Sequence, residues 1–193
     1  MQHICVFCGA NSGGDPVYRE VAQALGQVLA DRSIELIYGA GNVGLMGIIA
    51  DQVLASGGQV KGVIPNFLMQ KEVGHTGIQE LILTDTMHER KQIMADLSDG
   101  FIAMPGGMGT MDELCEILTW GQLGLHNKPI GILNVDGYFT PLLEFFDSMV
   151  EKKFLHPKNR AMVLSHTDPE ELLNLMDQYQ PPDVEKWLDR AGV

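Results

Sequence analysis

Basic residues are scarce in this chain: 13 Lys and Arg stand against 25 Asp and Glu, for a formal net charge of -12. A nucleic-acid partner needs a cation-rich surface to neutralise its phosphates, so that class is set aside. Any small anionic ligand must then be met by local, dedicated groups. Cysteine is also sparse, with Cys5, Cys8 and Cys115 in 193 residues. Cys5 and Cys8 form "CVFC", but the surrounding "HICVFC" reads as a strand, where residues three apart point to opposite faces. A structural role is therefore expected for them rather than a redox one. No apolar run approaches the ~20 residues of a membrane span. No basic region precedes the short N-terminal apolar run, as it would in a secretory signal. A reduced, cytoplasmic protein that meets no membrane is the expectation. The six His residues lack metal-ligand spacing such as H-E-x-x-H, and neither a metal nor a cofactor is expected.

What is present is ordinary globular composition, 45% hydrophobic and 20% charged, enough for one well-packed domain. Apolar runs at 4–9, 34–39, 59–65, 101–105 and 128–134 read as strands, with shorter candidates at 80–85 and 161–165. Helical spacing occupies 16–32, 44–58, 86–100, 110–124 and 138–154, and a last helix starts at Asp168-Pro169. Asp15 before Pro16 is a good N-cap pair, and Asp168 with Glu171 has capping-box spacing. Continuous apolar strands alternating with amphipathic helices predict an α/β fold: a single doubly wound, Rossmann-like domain whose mostly parallel sheet is covered on both faces. That domain is expected over residues 1–180, with an appendage at 181–193 after a proline break. Ligands of such sheets bind beyond the strands' carboxyl ends, which directs attention to the loops after residues 8, 38, 65 and 104.

Two of those loops are glycine-rich. "GAGNVGLMG" (39–47) spells G-x-G-x-x-G, but the following strand, "QVKGVIP", carries Lys61 and no terminal carboxylate, so NAD binding is rejected. Its glycines suit either an anion at a helix start or close strand–helix packing. "PGGMGT" (105–110) is denser: Gly106, Gly107 and Gly109 free the backbone, and Thr110 adds a hydroxyl. That makes a phosphate nest, and without a P-loop lysine it suits a phosphate held but not transferred. Glu113 has two readings. Thr110 to Glu113 is T-x-x-E, a capping box, yet a carboxylate one helical turn from a bound 5′-phosphate would also face its sugar. In "MHERKQIMADL", Met87, Arg90, Met94 and Leu97 share one helix face, which puts Arg90 in the inward stripe with Lys91 beside it. A buried guanidinium demands an anion, either a ligand or an internal carboxylate such as Glu113.

These motifs resemble the LOG ("lonely guy") family of phosphoribohydrolases, which release cytokinin bases from their riboside 5′-monophosphates. The resemblance runs from residue 3 to about 178. "PGGMGTMDE" is similar to the family's P-G-G-x-G-T-x-x-E and "MHERK" to its M-x-x-R-K; "FCGANSG" and "YGAGNVGLMG" align in order. Ala40 stands where the family often has Gly. A lysine decarboxylase label has often been attached to such sequences, although no lysine here has a recognisable cofactor-binding context. The resemblance implies Arg90 and Glu113 as the catalytic pair. It places Lys91, Gly106, Gly107, Met108, Gly109, Thr110, Met111 and Asp112 around the substrate, with Glu72 and Thr119 as further contacts. It also implies a homodimer with the site near the subunit interface.

The implied reaction cleaves the N-glycosidic bond of a nucleoside 5′-monophosphate, AMP-like or a cytokinin ribotide, through an oxocarbenium-like ribosyl cation. Glu113 would stabilise that cation and orient water, Arg90 would hold Glu113 ionised, and Glu72 or solvent would protonate the leaving base. Two alternatives stay open on sequence alone: a general AMP nucleosidase, and a non-catalytic purine-nucleotide sensor or carrier.

Overall fold

Segments such as Ile4–Phe7 and Gly100–Ala103 carry no charged side chain, so each can be buried on both faces, and helices must cover both sides of the sheet they form. The computed structural model describes residues 1–69 and 74–182. Its strands are β1 (His3–Phe7), β2 (Glu35–Tyr38), β3 (Val60–Pro65), β4 (Glu80–Thr84), β5 (Gly100–Ala103), β6 (Ile130–Leu133) and β7 (Val163–His166). The helices are α1 (Pro16–Asp31), α2 (Gly44–Ala55), α3 (Asn66–Met69), α4 (Met87–Leu97), α5 (Met108–Gln122), α6 (Thr140–Glu151), α7 (Pro157–Arg160) and α8 (Pro169–Asp177). The seven strands pair in parallel, in the order β4-β3-β2-β1-β5-β6-β7. The two short candidates at 80–85 and 161–165 are its edge strands. Of the appendage expected at 181–193, residues 183–193 lie outside the described residues.

Alternation along each strand divides the core in two. Ile4, Val6, Cys8, Leu36 and Tyr38 pack with α1, α2 and α8. Cys5, Phe7, Ile37, Val63 and Phe101 face the other way, onto Met94 of α4, Leu114 and Ile117 of α5 and Phe146 of α6. Cys5 and Cys8 thus lie on opposite faces, both buried and unpaired, as the strand spacing requires. The chain moves outward from β1 to β4, then crosses back to pair β5 with β1. Their divergent exits form the crevice where such sheets bind ligands. Backbone hydrogen bonds tie its rim together: the Gly9 amide donates to the Pro105 carbonyl and the Leu45 amide to the Gly9 carbonyl, each at 3.0 Å.

Helix starts follow local chemistry. Asp15 accepts from the Val17 amide at 2.9 Å and Asp168 from the Glu171 amide at 3.0 Å. Thr86 accepts from the Glu89 amide at 3.1 Å, and the Glu89 carboxylate accepts from the Asp85 amide at 2.9 Å. The T-x-x-E at 110–113 behaves otherwise. Helix α5 begins at Met108 with Gly107 as its N-cap and no side-chain cap hydrogen bond. Glu113 therefore sits in the second turn and is not a capping residue; the glycines start the helix two residues earlier than 110, which removes Thr110 from the cap.

Candidate active site

Over the carboxyl ends of β1 and β5 lies a cavity of about 460 Å³. The loop after β1 gives it Cys8 to Gly13, α2 gives Leu45 and Met46, and α4 gives Met87 and Arg90. The loop after β5 and the start of α5 give Pro105, Gly106, Gly107, Gly109, Thr110 and Glu113. Tyr18 and Tyr138 close one side.

Arg90 reaches the cavity because α4 turns its Met87–Arg90–Met94 stripe onto the sheet. Its Nε donates to the Val63 carbonyl at 3.1 Å, and its Nη2 lies 3.5 Å from Glu113 Oε1. Both side chains are only 10% exposed. A Cβ on Gly39 would run into this guanidinium, so a glycine at the end of β2 is what makes room for it. Burial raises the Glu113 carboxyl from its ordinary 4.5 to about 7; Arg90 and, more weakly, Lys91 oppose the rise, while Asp112 and Glu116 add to it. At neutral pH this group is divided between acid and carboxylate, poised for a role that needs either.

Beside the pair lies the glycine loop. Gly107 has no side chain with which to cap α5, and no other side chain makes a cap hydrogen bond at the positive end of that helix. A Cβ at Gly107 or Gly109 would meet nothing within 4 Å, so backbone is bare on the open side. Gly106 is packed tightly instead: a Cβ there would strike the Thr110 hydroxyl and lie 2.9 Å from the Gly9 nitrogen. The 39–47 loop proves to be the packing kind. Gly41 lies against Met46, Gly47 against the Asn42 backbone, and Gly44 takes φ +63 where a side chain would strike Ala10.

Several sequence-derived site residues stand apart from the cavity. Lys91 turns along α5, its Nζ 3.1 Å from Asp112 and 3.0 Å from Glu116. Asp112 is exposed, Met108 is 88% exposed, and Met111 packs on the α4–α5–α6 core. The Thr119 hydroxyl donates to the Cys115 carbonyl at 2.7 Å and borders a second depression beside Phe146 and Asn159. Glu72 lies outside the described residues. Conversely, sequence reasoning passed over Tyr18 and Tyr138. Tyr138 follows the C-terminal end of β6, the kind of position that the carboxyl-end rule would have flagged.

A family model described as "Possible lysine decarboxylase" matches residues 46–176. The chain is 51% identical to Probable cytokinin riboside 5'-monophosphate phosphoribohydrolase LOGL1 of Oryza sativa subsp. japonica, over 91% of its own length and 79% of that protein. The chain belongs to the LOG family. A second LOG relative, Cytokinin riboside 5'-monophosphate phosphoribohydrolase LOG7 of Arabidopsis thaliana, is 47% identical over 93% of this chain and 83% of its own. The LOG fold extends further, to the molybdenum cofactor carrier protein of Chlamydomonas reinhardtii, with a TM-score of 0.70 over 92% of this chain and 96% of that one. At 21% identity that likeness is one of fold alone. Among the described residues no lysine lines the cavity.

Proposed function

We propose that this LOG-family chain hydrolyses the N-glycosidic bond of cytokinin riboside 5′-monophosphates, giving the free N6-substituted adenine and ribose 5-phosphate. The observation that carries the reading is the buried Arg90–Glu113 pair, set one helical turn beyond an uncapped, glycine-lined helix start. The 5′-phosphate rests on the backbone of Gly106, Gly107 and Gly109 with the Thr110 hydroxyl nearby. Being unreactive, it can lend its binding energy to positioning the sugar. As the C1′–N9 bond breaks, its electron pair leaves with the base and positive charge develops on the ribosyl ring. Ionised Glu113 stabilises that charge and orients the water that attacks C1′, receiving its proton. Arg90 stays protonated throughout and acts by holding Glu113 charged and in place. The base takes up a proton from Glu72 or from solvent.

The reading includes one hydrolytic domain over residues 1–180, a cytoplasmic setting in keeping with three unpaired cysteines, and a homodimer. Support for the dimer lies in α5, α6 and the turns after them, which expose Leu123, Leu125, Phe145 and Phe154 by 57–80%. Analytical ultracentrifugation tests that part directly. No helix among the described residues is long and apolar enough to cross a membrane.

The activity is tested by incubating wild type and Glu113→Gln with isopentenyladenosine monophosphate and AMP, and following the released bases by chromatography. The expected result is preferential release of isopentenyladenine by wild type and a loss of ~10²–10⁴-fold in the variant. Equal rates on both substrates would make the chain a general AMP nucleosidase. Binding without release would make it a nucleotide carrier.

A further inference from the structure

The segment "NVDGYF" after β6 makes an unusual turn. Asp136 and Gly137 are both left-handed, at φ 49 and 70. Asn134 braces them: its Oδ1 accepts from the Phe139 amide at 2.8 Å and its Nδ2 donates to Thr140 Oγ1 at 3.1 Å. The Tyr138 amide donates to the Val135 carbonyl at 2.9 Å, and buried Phe139 anchors the next position. The side chain so aimed stands edge-on to Phe139, at 5.0 Å between ring centres, and edge-on to Tyr18 at 6.0 Å. Tyr18 is itself seated against Gly13, where a Cβ would lie 2.6 Å from its ring. At the end of this chain of contacts the Tyr138 hydroxyl donates to the Gly106 carbonyl at 2.6 Å.

That carbonyl belongs to a peptide with glycine on both sides, the arrangement in which rotation of the peptide plane meets least steric resistance. In a trans peptide the C=O and N–H point in opposite directions. Holding the Gly106 carbonyl therefore fixes the direction of the Gly107 N–H. A flipped plane would turn a carbonyl dipole toward the site where an anion needs a donor.

We propose that Tyr138 is a positioning residue for the phosphate cradle: its hydroxyl locks the Gly106–Gly107 peptide in the anion-binding orientation. The proposal rests on the phosphate-binding reading of the glycine loop given above, and it adds a residue that acts through the backbone of that loop. Its effect is selective, weakening ligands that carry the phosphate and sparing those that do not.

The test is calorimetric titration of wild type and Tyr138→Phe with ribose 5-phosphate and with adenosine, alongside melting curves. Phenylalanine keeps the ring contacts and removes only the hydroxyl. Losing one hydrogen bond of ordinary net strength predicts ribose 5-phosphate binding weakened about three- to tenfold, with adenosine binding unchanged. Equal weakening of both ligands would reduce the bond to general structural support and overturn the proposal. Unchanged ribose 5-phosphate binding would overturn it too. If wild type itself fails to bind ribose 5-phosphate, the cradle reading falls first and the Tyr138 proposal falls with it.

Discussion

Replacing Glu113 with Gln should stabilise the protein as the pH rises, even while it removes activity. The Glu113 side chain is buried, and burial lifts its carboxyl from 4.5 to about 7. Below pH 4.5 the group is protonated whether the chain is folded or not, and it contributes no penalty. Between 4.5 and 7 the folded chain keeps a proton that the unfolded chain releases, so stability falls as pH rises through this window. Above about 7 the full penalty is present, about 3 kcal/mol when each tenfold change in proton affinity is worth about 1.4 kcal/mol. Glutamine is nearly isosteric and does not titrate. It also leaves Arg90 opposite a neutral amide across 3.5 Å, but that cost does not vary with pH. Only the pH-dependent part of the difference between the two proteins reports the proton. The measurement is urea unfolding of both at pH 4.5, 6, 7 and 8.5. The stability of Glu113→Gln relative to wild type should improve by about 3 kcal/mol across the series, mostly before pH 7.5. A flat difference would mean that Arg90 fully compensates the buried charge and would refute the desolvation argument.

The same carboxyl sets a rate prediction: kcat should rise with pH through about 7, since the ionised form stabilises the cation, and base release assayed from pH 5 to 9 would show it. A rate that falls through that range would recast Glu113 as the acid. Gly39→Ala puts a methyl group where the Arg90 guanidinium lies, and kcat/KM should drop on the order of 100-fold. A crystal structure of that variant should show Arg90 displaced from Val63. Thr86→Ala removes the cap of α4, the helix that carries Arg90, and should lower unfolding stability by about 1 kcal/mol in urea titrations.

Much of the fold was legible because its signals are local. Apolar runs bounded by glycine and proline marked the strands, and three-and-four spacing marked the helices. Asp15-Pro16 and Asp168-Pro169 start helices in the structure as their chemistry requires. Helical periodicity also placed Arg90 inside, the strongest single clue to the site. Less legible was any contact that joins distant segments. Nothing near Gly39 in sequence announces Arg90, and nothing near Gly106 announces Tyr138. Such pairs exist only once β1, β2, β5 and β6 are aligned with their carboxyl ends on one side.

The two T-x-x-E segments show where local reading stops. Thr86 to Glu89 and Thr110 to Glu113 carry the same pattern, yet only the first caps a helix. What differs is where the helix starts relative to the threonine: Thr86 is the N-cap of α4, whereas Thr110 is already inside α5. Asp85 supplies an amide for the Glu89 carboxylate, and an extended backbone at Thr86 lets α4 begin there. Before Thr110 stand Gly107, Met108 and Gly109, whose backbone enters the helix early and carries Glu113 around to the second turn. There the carboxylate is too far along the helix to reach the orphan amides. It faces Arg90 and the cavity instead, and the amides at the helix start receive no side-chain cap. An uncapped helix and an unspent carboxylate are thus one consequence of the same three residues. Replacing the glycines to restore a cap would be expected to cost the site its anion cradle.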